Sequence, residues 1–111
     1  MAYHVVAVVH DRINFAKIGN MEECKIVVSV SDSTGAGVGG LVAADFKVSQ
    51  PGANFTVTFA GPDPSGFAGF YMIDVKPGFQ WHKGQYHFCV QVVHSKKPVE
   101  RGQTVTLLEM Y

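Results

Sequence analysis

The chain has 111 residues, of which 47% are hydrophobic, 12% aromatic and 16% charged, a composition that suits one globular domain over 1–111 and excludes a disordered chain. Nine Lys and Arg balance nine Asp and Glu, so no overall field draws in nucleic acid or an anionic membrane, and any partner has to be recognised locally. No stretch approaches the roughly 18 apolar residues of a membrane-spanning helix, and Met1-Ala2-Tyr3-His4 lacks the basic start and apolar run of a signal peptide, so no membrane insertion is expected. The chain as it stands is expected in the cytoplasm, or outside the cell if it is an excerpt of a longer exported protein.

Apolar and polar residues alternate with period two along the whole length. This predicts strands over 3–9, 25–31, 45–49, 55–60, 69–75, 85–94 and 103–110. The separators carry turn chemistry: Ser33-Thr34-Gly35-Ala36-Gly37 with Gly39-Gly40, then Pro51-Gly52, the hairpin loop Gly61-Pro62-Asp63-Pro64-Ser65-Gly66, then Pro77-Gly78, and Lys96-Lys97-Pro98 through Gly102. The stretch 13–23 is expected to be irregular. Seven short strands at this spacing predict an all-β, antiparallel sandwich or small barrel.

Strand alternation also assigns faces. Cys24 shares its side with Ile26, Val28 and Val30, whereas Cys89 shares its side with His87 and Gln91, opposite the apolar set Tyr86, Phe88, Val90 and Val92. The thiols therefore point to different faces and are expected to be free. In the fifth strand Tyr71, Ile73 and Val75 make one apolar side and Phe70 and Met72 make another. In the last, Val105 and Leu107 alternate with Leu108 and Met110. A small sandwich leaves one side of each sheet outward, so Phe70, Met72, Val93, Leu108 and Met110 are candidates for a patch that binds a protein partner or a second copy. The competing expectation is that the loop 13–21 folds over that face.

The run Val28-Ser29-Val30-Ser31-Asp32-Ser33-Thr34-Gly35, continuing through Val38-Gly39-Gly40-Leu41 to Asp45-Phe46-Lys47-Val48, resembles the repeated phrase of bacterial immunoglobulin-like modules. Gly69-Phe70-Tyr71 and Gly84-Gln85-Tyr86 are similar to the openings of their later strands. The resemblance spans residues 25–110 and implies a seven-stranded Greek-key immunoglobulin-like sandwich used for display, spacing or binding, with no reaction attached. Modules of this kind commonly sit in surface or secreted chains. In the turn, Asp32 is placed to accept backbone N–H groups and Gly35 to supply a positive φ. Tyr86 suits the tyrosine-corner position of such sandwiches, but Phe88 stands where antibody-type domains carry the bridging cysteine.

Chemical constellations are sparse. Five histidines, His4, His10, His82, His87 and His94, invite a search for metal ligands. Cys89, His94 and Met110 suggest a copper site, but their spacing and the absence of any histidine between His10 and His82 to serve as the upstream ligand spoil it. His87 and Cys89 share a strand side without a third ligand at recognisable spacing. No serine or cysteine sits on a strained elbow beside a base, and no helix follows the glycine-rich run 35–40 to make a phosphate cradle. The basic corner of His94, Lys96, Lys97 and Arg101 is diluted by Glu100 and has no aromatic platform for nucleic acid. The expected function is thus a non-catalytic interaction or assembly module, without cofactor or metal, that uses an apolar sheet face or an edge strand. The alternative is a carbohydrate or small-ligand domain in which Phe79, Trp81 and Tyr86 stack on the ligand.

Overall fold

The computed structural model describes residues 2–10, 17–49, 55–64 and 66–110. Seven strands, β1 His4–His10, β2 Cys24–Ser31, β3 Phe46–Ser49, β4 Phe55–Pro62, β5 Phe70–Pro77, β6 Gly84–Val93 and β7 Arg101–Met110, follow the predicted order. They form two antiparallel sheets, β1-β2-β5-β4 and β3-β6-β7. The third strand starts one residue later than predicted, because Asp45 closes a 3-10 turn, Ala43–Asp45. The Pro51-Gly52 turn and residues 13–16 of the irregular stretch lie outside the described residues.

The core is the space between the sheets. Burial alternates without a break along β2, with Cys24, Ile26, Val28 and Val30 inward, as a half-buried strand requires. β5 contributes Tyr71, Ile73 and Val75, and β6 contributes Phe88, Val90 and Val92. Both cysteines are free. Cys24 is buried in this layer, and its thiol is pushed up to about 12 by burial, with Asp74 adding to the shift.

β7 corrects part of the sequence reading. Leu108 and Met110 are 4% and 6% exposed and belong to the core. In the β6–β7 ladder Leu108 stands opposite Tyr86 and Thr106 opposite Phe88, and residues directly opposite share a sheet side. Leu108 and Met110 thereby point inward, and Val105 and Leu107 take the solvent side.

Three sets of contacts tie the ends of the sandwich together. Tyr3 N donates to the Arg101 carbonyl at 2.8 Å, beside a parallel bridge between Ala2 and Arg101, so the first strand is stitched to the opposite sheet. The buried Asp45 carboxylate accepts Val42 N at 2.9 Å and Ser95 N at 3.0 Å, joining the 3-10 turn to the β6–β7 hairpin. Desolvation opposes its charge, yet these donors, with His94 nearby, hold the carboxyl below the usual range. The 17–23 segment is laced to Trp81: Gly19 N donates to its carbonyl and Trp81 N donates to that of Asn20. The β2–β3 turn forms as expected, with Asp32 Oδ1 accepting Thr34 N at 2.8 Å and Ala36 N at 3.2 Å, and Gly35 at φ +86°.

Candidate interaction surface

The outward side of the four-stranded sheet is built from the residues left over when the core side is filled. Because paired residues share a side, the ladders define its rows. Val8, Val27, Met72 and Gly61 stand in register across all four strands. On one flank lie Val6, Ser29 and Phe70, and on the other Lys25, Asp74 and Phe59. Val8 is 61% exposed, Val6, Phe59 and Phe70 are also exposed, and Val27 and Met72 are half-buried by their neighbours.

Phe59 reaches this side through a bulge. The β4–β5 register shifts between Val57 and Phe59, which moves Phe59 from the inward series to the outward one. Its ring lies over Gly61, where an added Cβ would stand 3.0 Å from Phe59 Cζ. Lys25 Nζ meets Asp74 Oδ1 at 2.9 Å, so these two charges on the face neutralise each other.

At one end the face runs into a half-open cleft of about 140 Å³ between the Gly39-Gly40 loop and the β4–β5 loop, lined by Pro62, Phe67, Gly69 and Phe70 among others. Phe67 is 71% exposed and stands edge-on to Phe70, ring centroids 6.4 Å apart. Phe70 belongs to both cleft and sheet face, which makes the apolar surface continuous.

The outer side of the three-stranded sheet differs. Gln85, His87, Cys89, Gln91, Lys47, Gln103 and Glu109 share it with Val105 and Leu107, and Gln85 Nε2 donates to Glu109 Oε2. Val105 and Leu107 neighbour each other along β7 on this side, and polar groups make up most of the rest of it.

Of the five residues singled out for partner binding, Phe70 and Met72 lie together on the outer face of the four-stranded sheet. Val93 is half-buried in the other sheet, opposite Arg101, and Leu108 and Met110 are in the core. Val6, Val8, Val27, Phe59 and Phe67 were missed. The run Val5-Val6-Ala7-Val8-Val9, apolar on both sides of β1, carried the signal for the first two. The competing cover, the loop 13–21, is not laid across this face in its described part, which is bonded at Trp81.

The ligand-stacking set is brought together, but its rings pack on one another. Trp81 is fully buried and its Nε1 donates to the Glu22 carbonyl at 2.8 Å. Tyr86 meets it edge-on with centroids 4.9 Å apart, Phe79 lies 6.1 Å from both, and Phe55 completes the cluster. The indole has no free face for a sugar. Tyr86 Oη accepts His82 N at 3.0 Å, a bond from a strand-opening tyrosine back to the chain a few residues upstream.

Among the described residues, no three or more His, Cys, Asp and Glu side chains converge as metal ligands, and no helix is long and apolar enough to cross a membrane. Comparison of the chain with protein-family models, curated proteins and solved structures returned no match.

Proposed function

We propose that this chain is an immunoglobulin-like Greek-key sandwich that works as a non-catalytic protein-interaction or assembly module, docking through the outer face of its four-stranded sheet. Two features support the fold reading. The order β1-β2-β5-β4 with β3-β6-β7 is that of the ABED and CFG sheets of constant-type immunoglobulin domains, and the Tyr86–His82 bond has the form of a tyrosine corner.

The observation that carries the functional reading is the apolar Val8–Val27–Met72 row, half-buried at Val27 and Met72, with exposed Val6, Phe59 and Phe70 beside it. Leaving such a surface in water forgoes about 25 cal/mol per Å² of apolar area that a partner would cover. The sheet face is favoured over an edge strand because β4, one edge of this sheet, carries the bulge at Val57/Phe59, a device that blunts strand addition.

The test is site-specific photo-crosslinking in the source cell. A crosslinker at position 70 is expected to give a discrete protein adduct that Val8→Lys abolishes, while one at position 107 gives none. No adduct from position 70, or one indifferent to Val8→Lys, would sink the reading.

A further inference from the structure

We infer that the β6–β7 turn is a pH-sensitive element, held closed by a neutral His94 and released when that imidazole takes up a second proton.

The turn over 94–100 is closed by three main-chain bonds. His94 N donates to the Glu100 carbonyl at 3.0 Å, Lys97 N to the His94 carbonyl at 3.2 Å, and Glu100 N to the Lys97 carbonyl at 2.8 Å. None of them uses Lys96 N. That donor goes to His94 Nδ1 at 3.1 Å, and Lys97 N reaches the same nitrogen at 3.2 Å. An imidazole nitrogen that accepts carries no hydrogen, so this arrangement requires the neutral ring with its hydrogen on Nε2. Protonation places a hydrogen on Nδ1, where it confronts two N–H groups. The ring then has to turn away: Lys97 N falls back on the His94 carbonyl, and Lys96 N is left to water.

The charged groups around His94 give the protonated ring an alternative. Asp45, on the 3-10 turn, is close enough for a charged His94 to favour its ionised form, and its carboxyl, held below the usual range, stays charged where histidine titrates. The turn and the start of β7 supply Lys96, Lys97, Glu100 and Arg101. The segment before β1 supplies Tyr3, whose hydroxyl donates to Glu100 Oε2 at 3.1 Å. Lys96, Lys97 and Arg101 oppose a further positive charge, whereas Asp45 and Glu100 favour it. One proton therefore separates two arrangements, one in which Nδ1 accepts Lys96 N and one in which the imidazolium faces a carboxylate. Release acts on the start of β7, because this turn sets Val93 opposite Arg101, whose carbonyl accepts Tyr3 N.

NMR of the full chain, uniformly labelled with ¹⁵N and scanned from about pH 8 to about pH 5, the range in which histidine changes charge, tests this. At the upper end the His94 ring nitrogens are expected to report a bare Nδ1 and a hydrogen on Nε2. As His94 titrates, the Lys96 amide is expected to shift with the same midpoint and to lose about fivefold in exchange protection, the factor of one hydrogen bond. The Ser95 amide, bonded to Asp45 Oδ1 at 3.0 Å, is expected to keep its protection. His94→Asn places a side-chain oxygen that accepts the same backbone donors without titrating, and its Lys96 amide is expected to stay constant over the whole scan. A hydrogen on Nδ1 at pH 8 overturns the inference, as does a His94 that remains neutral to pH 5. So does a Lys96 amide that ignores the His94 midpoint or that titrates equally in His94→Asn. Loss of Ser95 protection in step with Lys96 would mark general unfolding and overturn it as well.

Discussion

Gly102 passes so close to Tyr3 that a Cβ at position 102 would stand 2.4 Å from the Tyr3 carbonyl oxygen and 2.9 Å from Val5 Cγ2. This is where the first strand is stitched to the second sheet by the Tyr3–Arg101 bond. Backbone cannot yield there as a flexible side chain would. Gly102→Ala is expected to cost about 2 kcal/mol and to lower Tm by roughly 10 °C. An unchanged melting curve would show that the two segments do not approach this closely.

Leu108 and Met72 separate inward from outward apolar residues. Leu108→Lys forces a charge into the core and is expected to lose about 3 kcal/mol or more, while Met72→Lys on the outer face stays within about 1 kcal/mol of wild type. Urea unfolding of both variants measures this. Equal losses would contradict the β6–β7 register.

Asp45 predicts a pH dependence. Its carboxyl titrates below the usual range in the folded chain, so its contribution to stability is present above the unfolded value near 3.9 and is lost as pH falls through the folded value. Asp45→Asn keeps the shape but sets an amide N–H₂ against one of the Val42 and Ser95 donors. It is expected to cost about 1–3 kcal/mol at pH 7, with the gap to wild type narrowing below about pH 4 as the native carboxyl protonates. A gap of constant size between pH 7 and pH 3 would argue against a charged Asp45 at this junction.

The thiols predict unequal reactivity. Cys24 is buried with its thiol pushed up to about 12, and Cys89 is half-buried on the outer side of β6. Since the thiolate is the reactive form, a disulfide reagent added to the native protein is expected to modify Cys89 first and to reach Cys24 only on unfolding. Mass mapping of the labelled peptides reads the order directly, and early labelling of Cys24 would place it outside the core.

Trp81 predicts an optical signature. A fully buried indole bonded to the Glu22 carbonyl emits to the blue, resists acrylamide, and does not respond to a carbohydrate panel. Trp81→Phe leaves that carbonyl without its donor and is expected to cost about 1–3 kcal/mol. A sugar-dependent quench would revive the stacking role considered for Phe79, Trp81 and Tyr86.

The seven strands, their order and the faces of β2, β5 and β6 were legible in the sequence, because period-two alternation records which side of a strand is buried, and glycine, proline and Asp32-type turn residues record where it ends. β7 was not legible, since Val105, Leu107, Leu108 and Met110 are apolar on both sides, and a one-residue choice of register exchanges them. That choice was made by the 94–100 turn, whose length sets Val93 opposite Arg101 and hence Tyr86 opposite Leu108. Phe59 was hidden for a related reason. Its outward turn depends on a bulge opposite Asp74, a property of the pairing between two strands and of neither alone. The outer apolar face likewise exists because β1, β2, β5 and β4 lie side by side, collecting Val8, Val27, Phe59 and Met72 from distant parts of the chain. Local sequence determined which side chains are apolar and how they alternate; long-range strand pairing decided which of them meet, because adjacency in a sheet is set by hydrogen-bonded register between distant segments.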